Sequence, residues 1–192
     1  DLAAGELPQA SHRFSSGPLC DQHPVIPIDQ RSGGYAYNRA NETAKALGKQ
    51  ASYTDAIPDL EAAIGWAKQK SPSSKLLVWG SSYSAALAIL LAPWHPEIDG
   101  VLSFSPGEYL GGASKVRDAA ALMRQPLFIT SSRVEAELAA PIFAAAGAAD
   151  KTQFIPNGYG EHGSAALLLP PPDSDEYWRA VESFLAKFGA RP

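Results

Sequence analysis

The sequence has little of three features that would place a protein in a specialised class. It contains 1 cysteine, Cys20, so no intrachain disulfide or cysteine-based metal site can form, and we expect Cys20 to be a small buried hydrophobic residue. Its 16 lysines and arginines are scattered among 20 acidic residues, which argues against nucleic acid as a partner. Since no apolar run approaches the roughly 20 residues that cross a bilayer, we expect no membrane span.

The chain also lacks an initiating methionine and a signal-like apolar segment, because it begins at Asp1 with a mixed sequence. We therefore expect a processed mature protein, a trimmed chain or an interior fragment. The composition predicts a soluble protein, either cytoplasmic or processed and then secreted or periplasmic. With 192 residues, 45% of them hydrophobic, the chain has the size of one domain, residues 1–192, with a substantial core.

Short apolar runs alternate with segments of helical character over most of the chain. The predicted strands are Lys75 to Trp79, Ile98 to Phe104, Pro126 to Ser131 and Thr152 to Ile155. The predicted helices are a short one ending at Gly48, Ser52 to Lys70, Tyr83 to about Pro93, Ser114 to Arg124, Glu135 to Ala146 and Asp173 to Phe188. This alternation predicts an α/β fold with a doubly wound, mostly parallel sheet flanked by helices.

The amino-terminal part has a weaker pattern. Gln9 to Gln22 has the composition of a helix broken near its middle, and Val25 to Asp29 has that of a strand. Pro27 removes one backbone donor, so we expect this strand at a sheet edge or beside a bulge. In the loop that follows, we expect Asp29 and Arg31 to form a structural ion pair or to brace the loop.

The turn between the first of the four later strands and its helix reads Gly80-Ser81-Ser82-Tyr83-Ser84. It resembles the G-x-S-x-G nucleophile elbow of the α/β-hydrolase family, with Ser84 in place of the last glycine. The resemblance puts Ser82 at the nucleophile position, where a helix N-terminus favours developing negative charge. It makes the backbone N–H of Tyr83 a donor to the oxyanion hole. The alternative is an ordinary turn in which Ser81 or Ser82 caps the helix.

Two more residues follow strands, at the sheet edge where open α/β sheets bind ligands. His162 lies in a glycine-flanked loop that resembles the histidine loop of dienelactone-hydrolase-like enzymes, and it is the candidate general base and acid. Glu135 lies beyond the strand ending at Ser131, at the spacing of the family's acid, and is the candidate that orients the imidazole. Glu137 is the competing acid. The order of serine, acid and histidine is that of the family.

The resemblance extends from about Val25 to the C-terminus and is to a group of small bacterial esterases. It implies a serine hydrolase that cleaves a carboxylic ester or thioester of a small molecule through an acyl-enzyme, without a cofactor or metal. Three residues in loops at the same predicted rim, Glu108, Tyr109 and Tyr159, are candidates to shape a substrate pocket, and packing or exposed positions are equally expected for them.

The chain departs from the family in one respect. The family has an early strand ending in H-G or H-G-G, and the following loop supplies a second oxyanion donor. No such motif precedes Val25, so either the chain is a truncation or Asp1 to Gly17 supply the donor differently. Loss of one donor costs about 3 kcal/mol in the transition state. A hydrolase-like binding or scaffold protein is therefore the second hypothesis, and peptide cleavage or acylation of an alcohol is the third.

Overall fold

The computed structural model describes residues 24–36 and 39–189. A short antiparallel pair, β1 (Tyr35–Ala36) and β2 (Arg39–Ala40), precedes the central sheet. The central sheet has four parallel strands, which pair in the order of the sequence. These strands are β3 (Leu77–Ser81), β4 (Gly100–Phe104), β5 (Leu127–Thr130) and β6 (Lys151–Phe154).

Helices precede, connect and follow these strands, and each connection between parallel strands contains a helix, as is usual for parallel pairing. They are α1 (Glu42–Leu47), α2 (Ile57–Lys70), α3 (Tyr83–Leu91), α4 (Lys115–Leu122), α5 (Ala136–Ala145) and α6 (Asp173–Leu185). The predicted parallel α/β architecture is therefore confirmed, and from residue 42 onward the predicted helix and strand positions agree with the structure to within a few residues. Within the described ranges, no helix has both the length and the hydropathy to cross a membrane.

The start of α2 follows its sequence signals closely. Ser52 and Asp55 form a capping box, in which the Ser52 backbone N–H donates to Asp55 Oδ2 at 2.7 Å. The capped segment is a 3₁₀ turn, Tyr53–Ala56, and the α-helix begins directly after it with Pro58 in its first turn. Proline fits there because the first backbone N–H groups of a helix have no intrahelical acceptor.

Helices pack on both faces of the sheet, and the side chains that form the two resulting clusters differ in type. Val101, Leu127 and Ile129 belong to a cluster with aliphatic and alanine side chains of α2 to α5. The alternate residues of the same strands, such as Phe104 and Phe128, face the aromatic side chains of α6. Side chains alternate between the two faces of a strand, so these short strands are covered on both faces by helices.

The predicted strand from Val25 to Asp29 is wrong. Residues 24–30 form no strand, and Val25, Ile26 and Ile28 are each nearly half exposed. Pro27 offers no ladder donor, and without a partner strand the apolar side chains of this segment gain little from burial. The predicted helix from Gln9 to Gln22, Cys20 and the proposed role of Asp1 to Gly17 fall outside the described residues.

Asp29 and Arg31 both brace the loop, but they do not pair with each other. Asp29 Oδ2 accepts the backbone N–H of Glu42, at the start of α1. The guanidinium of Arg31 instead binds Asp59 on α2, with Nη2 at 2.6 Å from Oδ1. The two charges therefore attach the loop to two different helices.

Candidate active site

Ser82 occupies a strained turn between β3 and α3. Its backbone has φ 58° and ψ −127°, and a positive φ is costly for any residue with a side chain. Its N–H donates to the carbonyl of Phe104 at 2.8 Å, and its own carbonyl accepts the N–H of Ala85 at 2.9 Å. A Cβ on Gly80 would collide with the backbone of Ser84 and Ala85, so the strand and helix approach as closely here as a nucleophile elbow requires.

The residues after Ser82 hold the preceding loop. The hydroxyl of Tyr83 donates to the carbonyl of Ser32 at 2.9 Å and accepts from Gln30 Nε2 at 2.7 Å. Gln30 Nε2 also donates to the hydroxyl of Ser84 at 2.5 Å, so the serine that replaces the last elbow glycine takes part in this contact. The Tyr83 ring stacks on Tyr53, with 4.1 Å between the ring centroids. As the first residue of α3, Tyr83 has a backbone N–H with no intrahelical acceptor.

The structure brings the predicted acid and the predicted base together. Glu135 ends a 3₁₀ turn after β5, and its Oε1 lies 2.5 Å from His162 Nδ1. Glu135 Oε2 accepts from the hydroxyls of Ser105 at 2.8 Å and Ser132 at 2.9 Å. The Glu135 side chain is 23% exposed and that of His162 is 45% exposed. An ionised carboxylate only accepts hydrogen bonds, so the shared proton sits on Nδ1 and leaves Nε2 free to exchange a proton.

The environment of Glu135 favours its charged form. Burial raises the pKa of this carboxyl, but the hydrogen bonds from His162, Ser105 and Ser132 outweigh burial and hold the pKa below its usual range. Glu137, the competing acid, lies on α5 with its side chain exposed and is not the carboxylate that contacts His162. The carboxylate at the histidine is therefore that of Glu135.

The loop that carries His162 is attached to the sheet through two serine hydroxyls. The N–H of Gly163 donates to Ser105 Oγ at 2.8 Å, and the N–H of Ser164 donates to Ser81 Oγ at 2.9 Å. A Cβ on Gly163 would lie 3.8 Å from the backbone nitrogen of Ser82, so this loop packs directly on the elbow. The last side chain of β3 and the first side chain after β4 thus set the position of the histidine loop.

The side chain of Tyr177 on α6 contacts both the loop after β5, which carries Glu135, and the loop that carries His162. Its buried hydroxyl donates to the carbonyl of Ser131 at 3.0 Å and packs against Gly160, whose φ is +67°. Burial raises the pKa of Tyr177 to about 12, with a smaller opposing hydrogen bond from the backbone of Glu161. A neutral phenol therefore holds both loops at every physiological pH.

No hydrogen bond joins the Ser82 hydroxyl to the His162 ring, although both residues are described and lie at the same edge of the sheet. Contacts of this kind are often long in ligand-free enzymes and shorten when substrate binds. His95, the other described histidine, lies after α3 with Nδ1 at 3.1 Å from Glu97 Oε1 and is 18% exposed. Among the described residues, no group of histidine, cysteine or acidic side chains is arranged to hold a metal ion.

The three predicted rim residues have different surroundings. Both carboxylate oxygens of Glu108 accept backbone N–H groups of α4, so this side chain caps a helix. The hydroxyl of Tyr109 donates to the carbonyl of Ser105 at 3.3 Å; burial, and then the charge of Glu135, raise the pKa of Tyr109. Tyr159 is 85% exposed. A role in substrate binding stays a prediction for all three.

Sequence reasoning assigned no role to Ser105 or to the hydroxyl of Tyr177. Ser105 carried a usable signal, because it is a small polar residue directly after a buried strand, at the edge that also presents Ser82 and Glu135. Tyr177 carried none, since its position on the apolar face of α6 predicts packing alone.

No protein-family model and no curated protein sequence matches this chain. Solved structures do resemble it. An esterase of Pyrococcus furiosus, Pf2001, aligns at 20% identity over 73% of this chain and 65% of its own, with a TM-score of 0.60. A putative dienelactone hydrolase of Klebsiella pneumoniae aligns at 15% identity over 79% and 69% of the two chains, with a TM-score of 0.55. NosK of Streptomyces actuosus aligns at 16% identity over 94% and 91%, with a TM-score of 0.54. The chain thus spans about two thirds of the length of the Pyrococcus esterase.

Proposed function

We propose that this chain, which has the α/β-hydrolase fold of these neighbours, is a serine hydrolase that cleaves a carboxylic ester or thioester through an acyl-enzyme on Ser82. The observation that carries the proposal is the contact between Glu135 and His162 Nδ1, at the edge of the sheet that also presents the strained Ser82 turn. Nucleophilic acyl transfer needs a serine, an imidazole that takes its proton and a carboxylate that orients the imidazole.

Each group has a defined part in the reaction. His162 Nε2 accepts the proton of the Ser82 hydroxyl as Oγ attacks the carbonyl carbon of the ester. The same proton then passes to the leaving alcohol, the acyl-enzyme forms, and a water molecule activated by His162 releases the acid. Glu135 stays ionised because of its hydrogen bonds, and its charge stabilises the imidazolium that forms in both steps.

The backbone N–H of Tyr83 is the assigned donor to the developing oxyanion. It lies in the first turn of α3, where the backbone N–H has no intrahelical acceptor and the helix dipole favours negative charge. Enzymes of this type normally use two donors, and removal of one lowers kcat by about 10²- to 10³-fold. The N–H of Tyr83 is the donor that we assign among the described residues.

A hydrolase-like binding protein is the second candidate. The observation that favours it is the absence of a hydrogen bond between Ser82 and His162, both of which lie in the described part of the chain. Such a protein would bind a small ester or acid without cleaving it.

The test is hydrolysis of p-nitrophenyl acetate and butyrate from about pH 5 to about pH 9 by the wild type, Ser82→Ala and His162→Ala. His95→Ala and Ser103→Ala are matched controls, because they remove a histidine and a buried serine hydroxyl that do not contact Glu135 or His162. We expect turnover by the wild type and by both controls, and none by Ser82→Ala or His162→Ala at any pH in this range. A Ser82→Ala variant as active as the wild type would refute the proposal. A folded wild type without turnover, stabilised thermally by an ester or its acid, would support the binding protein.

A further inference from the structure

Ser105 has an unusual backbone for a serine. It directly follows β4, is 1% exposed and has φ 53°; with Ser82 it is one of two described non-glycine residues with a positive φ. Its N–H donates to the carbonyl of Thr130 on the neighbouring strand at 2.6 Å. A glycine would adopt this conformation without strain. Strained non-glycine residues cluster at functional sites, so the strain suggests a function for the Ser105 side chain.

The hydroxyl of Ser105 makes two hydrogen bonds, each to a different loop. It donates to Glu135 Oε2 at 2.8 Å, and it accepts the N–H of Gly163 at 2.8 Å. It therefore joins the loops that follow β4, β5 and β6 at one atom. Ser132 also donates to Glu135 Oε2, but it belongs to the same turn as Glu135 and cannot tie that turn to the histidine loop.

We propose that Ser105 is a positioning residue, which holds the carboxylate of Glu135 and the loop of His162 in the arrangement that proton transfer requires. The effect on catalysis rests on the proposed hydrolase function; the effect on the geometry does not. Without the hydroxyl, the buried N–H of Gly163 loses its acceptor, and Oε2 of Glu135 keeps only donors from its own turn. Both partners of the hydrogen bond between Glu135 and His162 then gain freedom to move.

Two variants separate the hydroxyl from the backbone strain. Ser105→Ala removes the hydroxyl and keeps the strain, whereas Ser105→Gly removes both, so the glycine variant is expected to stay folded. Ser103→Ala is the control, because Ser103 lies two residues earlier on β4 and its hydroxyl contacts the carbonyl of Ala85 instead. We expect both Ser105 variants to lower kcat for p-nitrophenyl acetate about tenfold with KM within about twofold, and the control to match the wild type.

A second measurement needs no turnover. In protein labelled with ¹⁵N-histidine, the Nδ1 proton of His162 is assigned by its loss in His162→Ala, and its exchange with solvent is measured by NMR. We expect slow exchange in the wild type and in Ser103→Ala, and exchange at least about fivefold faster in both Ser105 variants, because the hydrogen bond to Glu135 opens more often.

The outcomes are distinguishable. Wild-type exchange of the Nδ1 proton in both Ser105 variants overturns the proposal whatever the esterase result. Faster exchange with an unchanged kcat overturns it as well, since the hydroxyl would then hold the loop without serving the reaction. If the wild type hydrolyses no ester, the proposed function fails, and the NMR measurement alone decides whether Ser105 positions the pair.

Discussion

The two sides of the Ser82 turn are built in different ways. On one side, which we call the acid–base side, Ser105, Glu135 and His162 follow three paired strands and are joined by hydrogen bonds between their side chains and backbone. On the other, the amino-terminal side, residues 24–34 form no strand with the sheet, and residues 24–29 are exposed. The acid–base side is positioned by the register of the sheet, whereas the amino-terminal side depends on a few side-chain contacts.

Those few contacts involve three helices, because Asp29 accepts a backbone N–H at the start of α1 and the other contacts reach α2 and α3. Tyr83 and Ser84 bind Gln30 and Ser32, while Arg31 binds Asp59 of α2. No described strand pairs with the outer edge of β3, so no backbone ladder supports this segment. The comparison teaches that one side of the Ser82 turn is specified by parallel strand pairing, whereas the other side is held by side-chain contacts with α1, α2 and α3.

The largest effect is expected on the acid–base side, where Glu135→Gln should lower kcat for ester hydrolysis by about 10³-fold. An amide keeps the shape of the carboxylate but cannot stabilise the imidazolium of His162. The matched variant Glu137→Gln should stay within about twofold of the wild type, because Glu137 is not the carboxylate at His162. Steady-state kinetics on p-nitrophenyl butyrate measure both, and a larger loss in Glu137→Gln would reverse the assignment of the acid.

On the acid–base side, the packing of the histidine loop against Tyr177 is tested by Gly160→Ala. Its methyl group would collide with the hydroxyl of Tyr177 and contact Pro156, at a backbone φ of +67° that disfavours alanine. We expect a loss of about 3 kcal/mol in the free energy of unfolding. Gly158→Ala in the same loop is the control, with a nearest neighbour at 3.8 Å and an expected change below about 0.5 kcal/mol. Urea denaturation measures both, and equal losses would contradict the close packing on Tyr177.

The amino-terminal side is tested by Tyr83→Phe, which keeps the ring stack on Tyr53 and removes the hydroxyl that binds Gln30 and Ser32. We expect a loss of about 1 kcal/mol in the free energy of unfolding, because the carbonyl of Ser32 loses one of its two donors and keeps Asn41 Nδ2, while Gln30 Nε2 loses one of its two acceptors. Limited trypsin digestion should cleave faster after Arg31 in this variant. The control Tyr53→Phe keeps the same ring stack and should digest as the wild type does. Unchanged cleavage in Tyr83→Phe would show that other contacts hold the segment.

The smallest effect is in the acid stability of the acid–base side. The folded-state pKa of Glu135 is below its ordinary value of 4.5, so its stabilisation is present above that value and is lost as pH falls through the folded pKa. On the amino-terminal side, the pKa of Asp59 is also below its ordinary value, chiefly because of its hydrogen bond from Arg31, so its stabilisation is likewise lost at low pH. We expect the thermal midpoint of Glu135→Gln to fall less steeply than that of the wild type between about pH 5 and about pH 3. The corresponding difference in the free energy of unfolding should be below about 1 kcal/mol. Parallel melting curves across that range would show that Glu135 contributes no acid sensitivity.

Much of the acid–base side could be predicted from local sequence. The turn at Ser82 was predictable from a strand-like run followed by a helix-like one, and the preference for Glu135 over Glu137 came from its spacing after a strand. The strand predicted at Val25 to Asp29 failed because composition alone cannot show whether a partner strand is present. The role of Ser105 could not be predicted from local sequence either, because its two hydrogen-bond partners lie 30 and 58 positions away in the chain.

The sequence by itself determined the alternation of strands and helices, the strained serine turn and the order of serine, acid and histidine, because each depends on neighbours within a few residues. Only the tertiary structure decided which carboxylate meets His162, which hydroxyls hold its loop and whether the segment before the sheet joins it. These depend on hydrogen bonds and burial between residues far apart in the chain, such as the 27 positions between Glu135 and His162. Parallel pairing closes those distances by bringing the carboxyl ends of successive strands to one edge.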